Sequence, residues 1–511
     1  MDNGVLCGET FTPYPTLRER SARTASALAE LGIGAGDTVA VLMRNDVPFL
    51  EAAYGASLIG AVPVPINWHG RQAEVRYILD DAHARLLVAH ADLLHGIRDA
   101  LPERLPVRAV PTPAHIADRY GVPDELRAPG AEDVEWSAWI ESFEPRTAPP
   151  TAPPWGMLYT SGTTGRPKGV LRQPTDLNDP AAVRAMAALH AAIGMEPGAR
   201  TIISGPMYHT APFTYAVGMP AQGAFVVLQP RFDAEELLAL IERHRITHLY
   251  LVPTMFVRLL QLPAQTRNAY DLSSLVKVMH AAAPCPPSVK RAMIEWWGPI
   301  LHEYYGGTES AAVVACDSEE WLAHPGTVGR PVDGATVRIY GEDGTVLAPG
   351  QVGDIYVRLN GLPDFTYQGQ PEARVEIGRD GLVTCGDVGY LDEDGYLYLC
   401  DRKRDMVISG GVNIYPVEIE ACLTRLVGVK DCAVFGVPDA EYGESLAAAI
   451  ELLPGAELTE DQVRAHVRRH LAGFKVPKLV VFHESLPRED SGKIFKRLLR
   501  EPYWAGRERR I

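Results

Sequence analysis

From the N-terminus to about residue 300 the chain alternates helix-like and strand-like stretches, and this alternation restricts its fold more than any other feature. Leu17, Ala25, Leu28 and Leu31 share one face of a helix, and Gly34–Gly36 closes it. A strand over Thr38–Met43, a helix over Asp46–Gly60 and a buried strand over Ala61–Ile66 come next. Phe225–Leu228, Thr247–Val252 and Val276–His280 read as strands, with helices over Asp233–Arg243 and Thr254–Leu260 between them. Strands separated by helices pair in parallel, because each helix crosses the sheet to bring the next strand alongside. The expected class is α/β, with parallel-type sheets covered by helices.

The texture changes after about Gly326. Thr327–Leu399 is rich in Val, Tyr and Gly, and turn signals at Glu342–Gly344, Arg379–Gly381 and Asp392–Gly395 predict a small antiparallel, barrel-like β region. The charged run Asp401–Asp405 then interrupts the hydrophobic pattern. Beyond it the order is helix Pro416–Leu426, strands Asp431–Val437 and Leu446–Leu452, helix Thr459–Leu471 and strand Leu479–Phe482. A chain of 511 residues is too long for one ordinary core. The division is expected at 401–405, with a large unit over 1–401 and a small C-terminal α/β unit over 402–511.

A net charge of −15 argues against wholesale nucleic-acid binding. The charge is uneven, since Arg464–Ile511 holds 13 basic and 5 acidic side chains. Such a tail either grips a polyphosphate or is a solvated helical face. The seven cysteines are scattered, with no CxxC, which fits reduced thiols in a cytoplasm better than disulfides or zinc. The first residues do not read as a secretory signal, and the longest near-apolar run, Ala56–Ile66, falls short of the roughly 20 residues a bilayer span needs. A cytoplasmic location without a membrane span is expected.

The strongest local signal is Tyr159-Thr160-Ser161-Gly162-Thr163-Thr164-Gly165-Arg166-Pro167-Lys168-Gly169, directly after the strand-like Trp155–Leu158. Glycines let backbone N–H groups close on an anion, hydroxyls add donors, and Lys168 supplies a point charge for outer phosphates. It is not a Walker A loop, because Pro167 precedes the lysine and Gly169 follows it. The bland alternative is a Ser/Thr/Gly surface loop.

This segment resembles the nucleotide loop of adenylate-forming enzymes: acyl- and aryl-CoA synthetases, luciferases and peptide-synthetase adenylation domains. Pro206-Met207-Tyr208-His209-Thr210-Ala211-Pro212 is similar to the acyl-gate motif, and Tyr304-Tyr305-Gly306-Gly307-Thr308-Glu309 to the magnesium and nucleotide motif. Thr384–Gly389 resembles the ribose motif, Asp401–Glu420 the hinge and following loop, and Ser491-Gly492-Lys493 the C-terminal lysine motif. These stand in family order over Tyr159–Lys493.

The resemblance implies ATP and Mg²⁺ as cofactors and CoA as co-substrate. It places Thr160, Ser161, Gly162, Thr163, Thr164, Gly165 and Lys168 on the nucleotide, with Ala282, Ala283, Pro284, Glu303, Tyr304, Tyr305 and Gly306 around it. Asp387 would accept from ribose hydroxyls and Arg402 would contact ribose and phosphate oxygens. Glu309 offers a hard oxygen to Mg²⁺. Thr308 would bond the α-phosphate, Lys493 would reach the carboxylate and α-phosphate, and His209 would gate the acyl pocket; these three form the expected catalytic set. Tyr208, His209, His280, Ala281, Gly306 and Gly307 would line the acyl pocket, and Ser409, Gly410 and Gly411 the CoA tunnel. Outside the motif, Lys496 and Arg497 keep the ordinary reading of solvated charges.

The implied reaction joins a carboxylate to AMP with release of pyrophosphate, after which a thiol displaces AMP. Its two steps need Lys493 first present and then removed, which the family achieves by swinging a mobile C-terminal domain. At the hinge position, usually Asp or Lys, this chain has Arg404. The gate segment supplies no Asp for a substrate ammonium, and three alanines in His280-Ala281-Ala282-Ala283-Pro284-Cys285 leave space, favouring an apolar fatty or bulky polycyclic acid without an α-amine. Three further readings stand beside the CoA ligase: transfer to a carrier-protein pantetheine, catalysis of one half-reaction with a partner, and a non-catalytic adenylate-binding protein. Homodimers occur among similar enzymes.

Overall fold

The computed structural model describes residues 3–149, 156–160, 167–176, 178–402, 405–409, 412–488 and 494–505, with only the backbone of Arg402. The first large sheet has nine strands in the order Arg330–Pro331, Ala311–Cys316, Leu301–Gly307, Lys277–His280, His248–Leu251, Arg200–Ile203, Phe225–Leu228, Gly4–Cys7 and Thr10–Pro13. Its six central strands run parallel, and hairpin partners at both edges run antiparallel. A second sheet is wholly parallel, in the order Val62–Pro65, Thr38–Leu42, Ala84–His90 and Val107–Val110. Central strands such as Thr38–Leu42 are buried on both faces, which is why they read as unbroken apolar runs.

The helices follow their caps. Asp233 Oδ1 accepts from the Glu236 N–H at 2.9 Å and opens helix Ala234–His244. Thr459 and Gln462 form a reciprocal capping box at the start of Glu460–His470. Helix Pro253–Leu260 begins one residue earlier than expected, because Pro253 sits at its first position, where no N–H is needed.

The Val-, Tyr- and Gly-rich region forms an antiparallel sheet of six strands, built around Gly353–Leu359 and ending in Asp387–Leu391 paired with Leu397–Arg402. A separate three-stranded sheet joins Leu158–Thr160, Lys168–Arg172 and Phe365–Tyr367. The last unit has its own sheet, with Val429–Asp439 and Gly443–Leu452 as its long hairpin and helices Pro416–Leu423, Glu460–His470 and Lys496–Trp504 around it. Apolar clusters of the large unit extend to Leu399, and those of the last unit begin at Val407. The expected hinge, 401–405, lies between them, and Asp401 Oδ2 accepts from the Val417 N–H across it at 3.1 Å.

Lys496 departs from the solvated reading. Its ammonium pairs with Glu420 at 2.8 Å, and although burial opposes the charge, Glu420, Asp401 and Asp405 raise its pKa. Arg500, one turn on, faces Asp405 at 3.4 Å. Arg497 remains exposed and pairs with Glu501 one turn on.

Candidate active site

The antiparallel hairpin formed by Leu158–Thr160 and Lys168–Arg172 places Thr160 opposite Lys168, the last pair before the segment that connects the two strands. Ser161, Gly162, Thr163, Thr164 and Gly165 lie outside the described residues. The strands begin and end a little later than Trp155–Leu158 implied, because Tyr159 is drawn into the sheet. Its hydroxyl donates to Asp81 Oδ2 at 2.6 Å, and Tyr77 donates to the Pro167 carbonyl at 3.1 Å. Two tyrosine hydroxyls therefore tie Tyr159 and Pro167 to helix Gln72–Asp81.

Lys168 Nζ stands 5.1 Å over the Tyr367 ring, and the Tyr367 hydroxyl donates to Glu309 Oε1 at 3.0 Å. Burial and the Glu309 carboxylate push the Tyr367 phenol up, so it remains a donor. Four residues after Lys168, the buried Arg172 holds the motif's backbone. Its guanidinium donates to the carbonyls of Thr308 (3.1 Å), Glu309 (2.8 Å) and Pro363 (2.7 Å). Burial pushes Arg172 down to about 10, which leaves it charged at neutral pH. Thr308 Oγ1 lies 2.6 Å from the hydroxyl of Thr210, the first residue of the helix behind His209.

The glycines of this motif are required by space. A bulge interrupts the strand pairing at Tyr305/Gly306, and a Cβ on Gly306 would lie 1.8 Å from the Ala311 carbonyl oxygen. A Cβ on Gly307 would come within 2.9 Å of Cys385 Sγ and 3.5 Å of Glu309 Oε2. From the same strand, the Tyr305 hydroxyl donates to Asp387 Oδ2 at 2.9 Å. Asp387 and Arg402 are direct cross-strand partners, so the backbone brings both expected ribose contacts to one edge. This donor set fits a magnesium nucleotide: hard carboxylates at Glu309 and Asp387, a cation at Lys168, and a backbone bend kept clear of Cβ atoms.

Other expected residues sit elsewhere. Ala282 adopts a left-handed conformation (φ 73°), and with Pro284 it is exposed, while Ala283 is half-buried and Ala281 buried. His280 and Glu303 are neighbours across two parallel strands but point into the core. Glu303 accepts from the fully buried Lys290 Nζ at 2.7 Å, with His280 Nε2 3.6 Å away. Burial, followed by Lys290 and His302, drives His280 well below its ordinary pKa. Tyr304 reaches Tyr250, which packs 5.2 Å from Tyr215, and the buried Tyr215 hydroxyl has no hydrogen-bond partner among the described residues. The Tyr208 and His209 rings pack with centroids 4.3 Å apart, tilted by 50°. Behind them Asn45 fixes the gate segment, donating to the carbonyls of Gly205 and Gln229 and accepting from the Met207 N–H, each at 3.0 Å. Ser409 ends the strand Val407–Ser409; Gly410, Gly411, Arg404 and Lys493 lie outside the described residues, as does the Arg402 side chain.

Arg172, Tyr367, Asn45 and Lys290 were not singled out from the sequence. Only Arg172 left a signal there, as a charge directly after the apolar pair Val170-Leu171.

The sequence matches the AMP-binding enzyme family over residues 5–362 and the AMP-binding enzyme C-terminal domain over 418–493. The chain belongs to this family. A methyl-dioxo-octahydroindenyl-propanoyl:CoA ligase of Rhodococcus jostii is 34% identical over 514 residues, covering 97% of this chain and 95% of that one. A feruloyl-CoA synthase of an Amycolatopsis species is 33% identical over 501 residues, covering 96% and 94%. ATP-bound MatB from Rhodopseudomonas palustris superposes with a TM-score of 0.83 at 29% identity, covering 98% and 96%. The chain is thus an adenylate-forming, AMP-forming acid–thiol ligase of the acyl-CoA ligase type, with ATP, Mg²⁺ and CoA as its reactants and cofactors. No described helix is long and apolar enough to cross a membrane.

Proposed function

We propose that the chain makes the CoA thioester of a bulky carboxylic acid that carries a polar oxygen away from its carboxylate. The observation that carries this reading is the buried Tyr215 hydroxyl, which has no partner among the described residues and lies on the helix whose first residue bonds Thr308. An unsatisfied buried hydroxyl costs about 1–3 kcal/mol, and an oxygen on the acid would satisfy it. The relative named for a dioxo-indenyl propanoyl group supports the same size and polarity. A plain alkyl chain would leave Tyr215 unpaired.

In the first step the substrate carboxylate attacks the α-phosphorus of ATP, and pyrophosphate leaves. Lys168 would face the outer phosphates, Thr308 would donate to the α-phosphate, and Asp387 with Arg402 would hold the ribose. Glu309 is the residue to hold Mg²⁺, which when bound neutralises phosphate charge. Lys493 would cover the carboxylate where charge develops. Arg172 and Tyr367 position Thr308 and Glu309, while Glu303, His280 and Lys290 hold the two strand ends beneath them. In the second step the CoA sulfur attacks the acyl carbon, its proton passes to solvent, and AMP leaves. Ser409, Gly410 and Gly411 would line the thiol's path after rotation about 401–405, with Arg404 at the hinge and His209 at the gate.

Free CoA is the proposed acceptor, in preference to a carrier protein. The cytoplasm is the proposed location, supported by seven free cysteines. A homodimer is compatible with the family. The test is incubation with ATP, Mg²⁺ and a panel of alkyl, aryl, and keto- or hydroxy-polycyclic acids, with and without CoA. Acyl-CoA from oxygenated bulky acids is expected; turnover confined to plain alkyl acids would refute the substrate class, and transfer only to a carrier would refute the acceptor.

A further inference from the structure

The C-terminal unit gathers three metal-binding side chains that the ligase reaction does not use. Cys422 is fully buried on helix Pro416–Leu423. His466 and His470 stand one turn apart on helix Glu460–His470, on the face that packs against it. The three ligating atoms lie within 4.8 Å of one another. Cys422 is innermost, His466 half-buried and His470 exposed, so the cluster runs from core to surface and has an open entrance.

The hydrogen bonds fix how the two imidazoles can bind. His466 Nε2 lies 3.1 Å from the Cys422 carbonyl oxygen, and His470 Nδ1 lies 2.8 Å from the His466 carbonyl oxygen. A carbonyl only accepts, so each neutral ring commits its single N–H to the backbone. The other nitrogen, Nδ1 of His466 and Nε2 of His470, keeps its lone pair. Metal-bound histidines are held by second-shell carbonyls in this way. Arg425 and Arg469 lie close enough to His466 to act on it electrostatically. The two arginines weaken any cation electrostatically, so a hard ion held by charge alone is disfavoured.

We propose that Cys422, His466 and His470 form a binding site for a borderline transition metal, Zn²⁺ before others, with water as fourth ligand. One thiolate and two imidazoles suit Zn²⁺ and exclude Mg²⁺ or Ca²⁺, which prefer oxygen. Binding breaks the Cys422 S–H bond, releases that proton to solvent and forms the S–Zn bond. Ligand atoms around tetrahedral zinc stand about 3.4–3.6 Å apart, so binding would draw the three side chains together. The metal would pin helix Pro416–Leu423, whose Val417 N–H is bonded to Asp401, onto helix Glu460–His470. Forty-four residues separate Cys422 from His466, which is why no local cysteine motif announced the site.

The test is titration of the full-length, chelator-stripped protein with Co²⁺ at pH 7.5. A thiolate-to-cobalt charge-transfer band and tetrahedral d–d absorption should saturate at one ion per chain and be bleached by one equivalent of Zn²⁺. Cys422→Ser should abolish the charge-transfer band. His470→Ala, at an exposed helix end where the fold is safe, should weaken binding by about tenfold or more. Cys432→Ser, at another buried thiol, should leave the band intact. Zn²⁺ should raise the Tm of the wild type and not of His470→Ala. Absence of the charge-transfer band in the wild type, or a band of equal intensity in Cys422→Ser, would overturn the site.

Discussion

The Tyr305 hydroxyl donates to Asp387 Oδ2 at 2.9 Å, tying strand Leu301–Gly307 of the nine-stranded sheet to the first residue of a strand in the antiparallel sheet. By holding one carboxylate oxygen, the tyrosine orients the Asp387 side chain. Asp387→Asn should raise the KM for ATP by about ten- to a hundredfold, the worth of hydrogen bonds to a charged group. Tyr305→Phe should raise it by only about two- to tenfold. Pyrophosphate-release kinetics separate the two, and equal effects would deny Asp387 a direct contact.

Arg172 serves three carbonyls with a planar fork that an ammonium cannot reproduce. Arg172→Lys should leave at least one buried carbonyl unpaired, at about 1–3 kcal/mol of stability. Because Thr308 and Glu309 lose their anchor, kcat for adenylate formation should fall more than the KM for the acid rises. Denaturant titration and single-turnover kinetics check both halves. Unchanged kcat would show that the motif holds its shape alone.

The Lys290–Glu303 pair lies in the core, where losing one partner is worse than losing both. Lys290→Met should cost about 3–5 kcal/mol by stranding Glu303. Adding Glu303→Leu should recover much of that loss. A double variant as unstable as the single would contradict the pairing account.

Next to that pair, His280 is neutral when folded, its pKa far below 6.5 through burial and then Lys290. The unfolded chain takes up this proton near pH 6.5 and the folded chain does not. Stability should therefore fall as pH drops through 6.5, with about 1.4 kcal/mol lost by pH 5.5 from this residue. His280→Gln should flatten the dependence by that amount in chemical denaturation at several pH values; an unaltered slope would mean the ring is protonated in the fold.

Tyr215→Phe removes the orphaned hydroxyl. It should lower kcat/KM for a keto-polycyclic acid by about tenfold and leave an alkyl acid unaffected or slightly improved. The ratio of the two acids in direct competition is the measurement. No change in the ratio would place the acid's oxygen elsewhere.

The α/β architecture was legible because buried parallel strands leave apolar runs and helices leave caps, as at Asp233 and Thr459. Residues that would touch substrate, such as Glu309 and Asp387, were legible because their motifs are contiguous. The supports were not. Arg172 and Tyr367 meet Glu309 from strands that are distant in sequence, and Asn45 reaches the gate segment across more than 150 positions. Glu303 and His280 belong to readable motifs, yet strand alternation turns their side chains inward toward Lys290, which only the assembled core reveals. Lys496 looked solvated because its partner Glu420 lies on another helix.

The central claim is that one chain both adenylates an acid and passes it to CoA, with Lys493 needed only for the first step. A single-turnover experiment that quantifies acyl-AMP and acyl-CoA separately, for the wild type and Lys493→Ala, tests it most directly. The wild type should convert acid to acyl-AMP and then to acyl-CoA. The variant should make neither from free acid, yet still convert preformed acyl-AMP to acyl-CoA at near wild-type rate. Loss of both steps in the variant, or acyl-CoA formed from free acid without Lys493, would contradict the account.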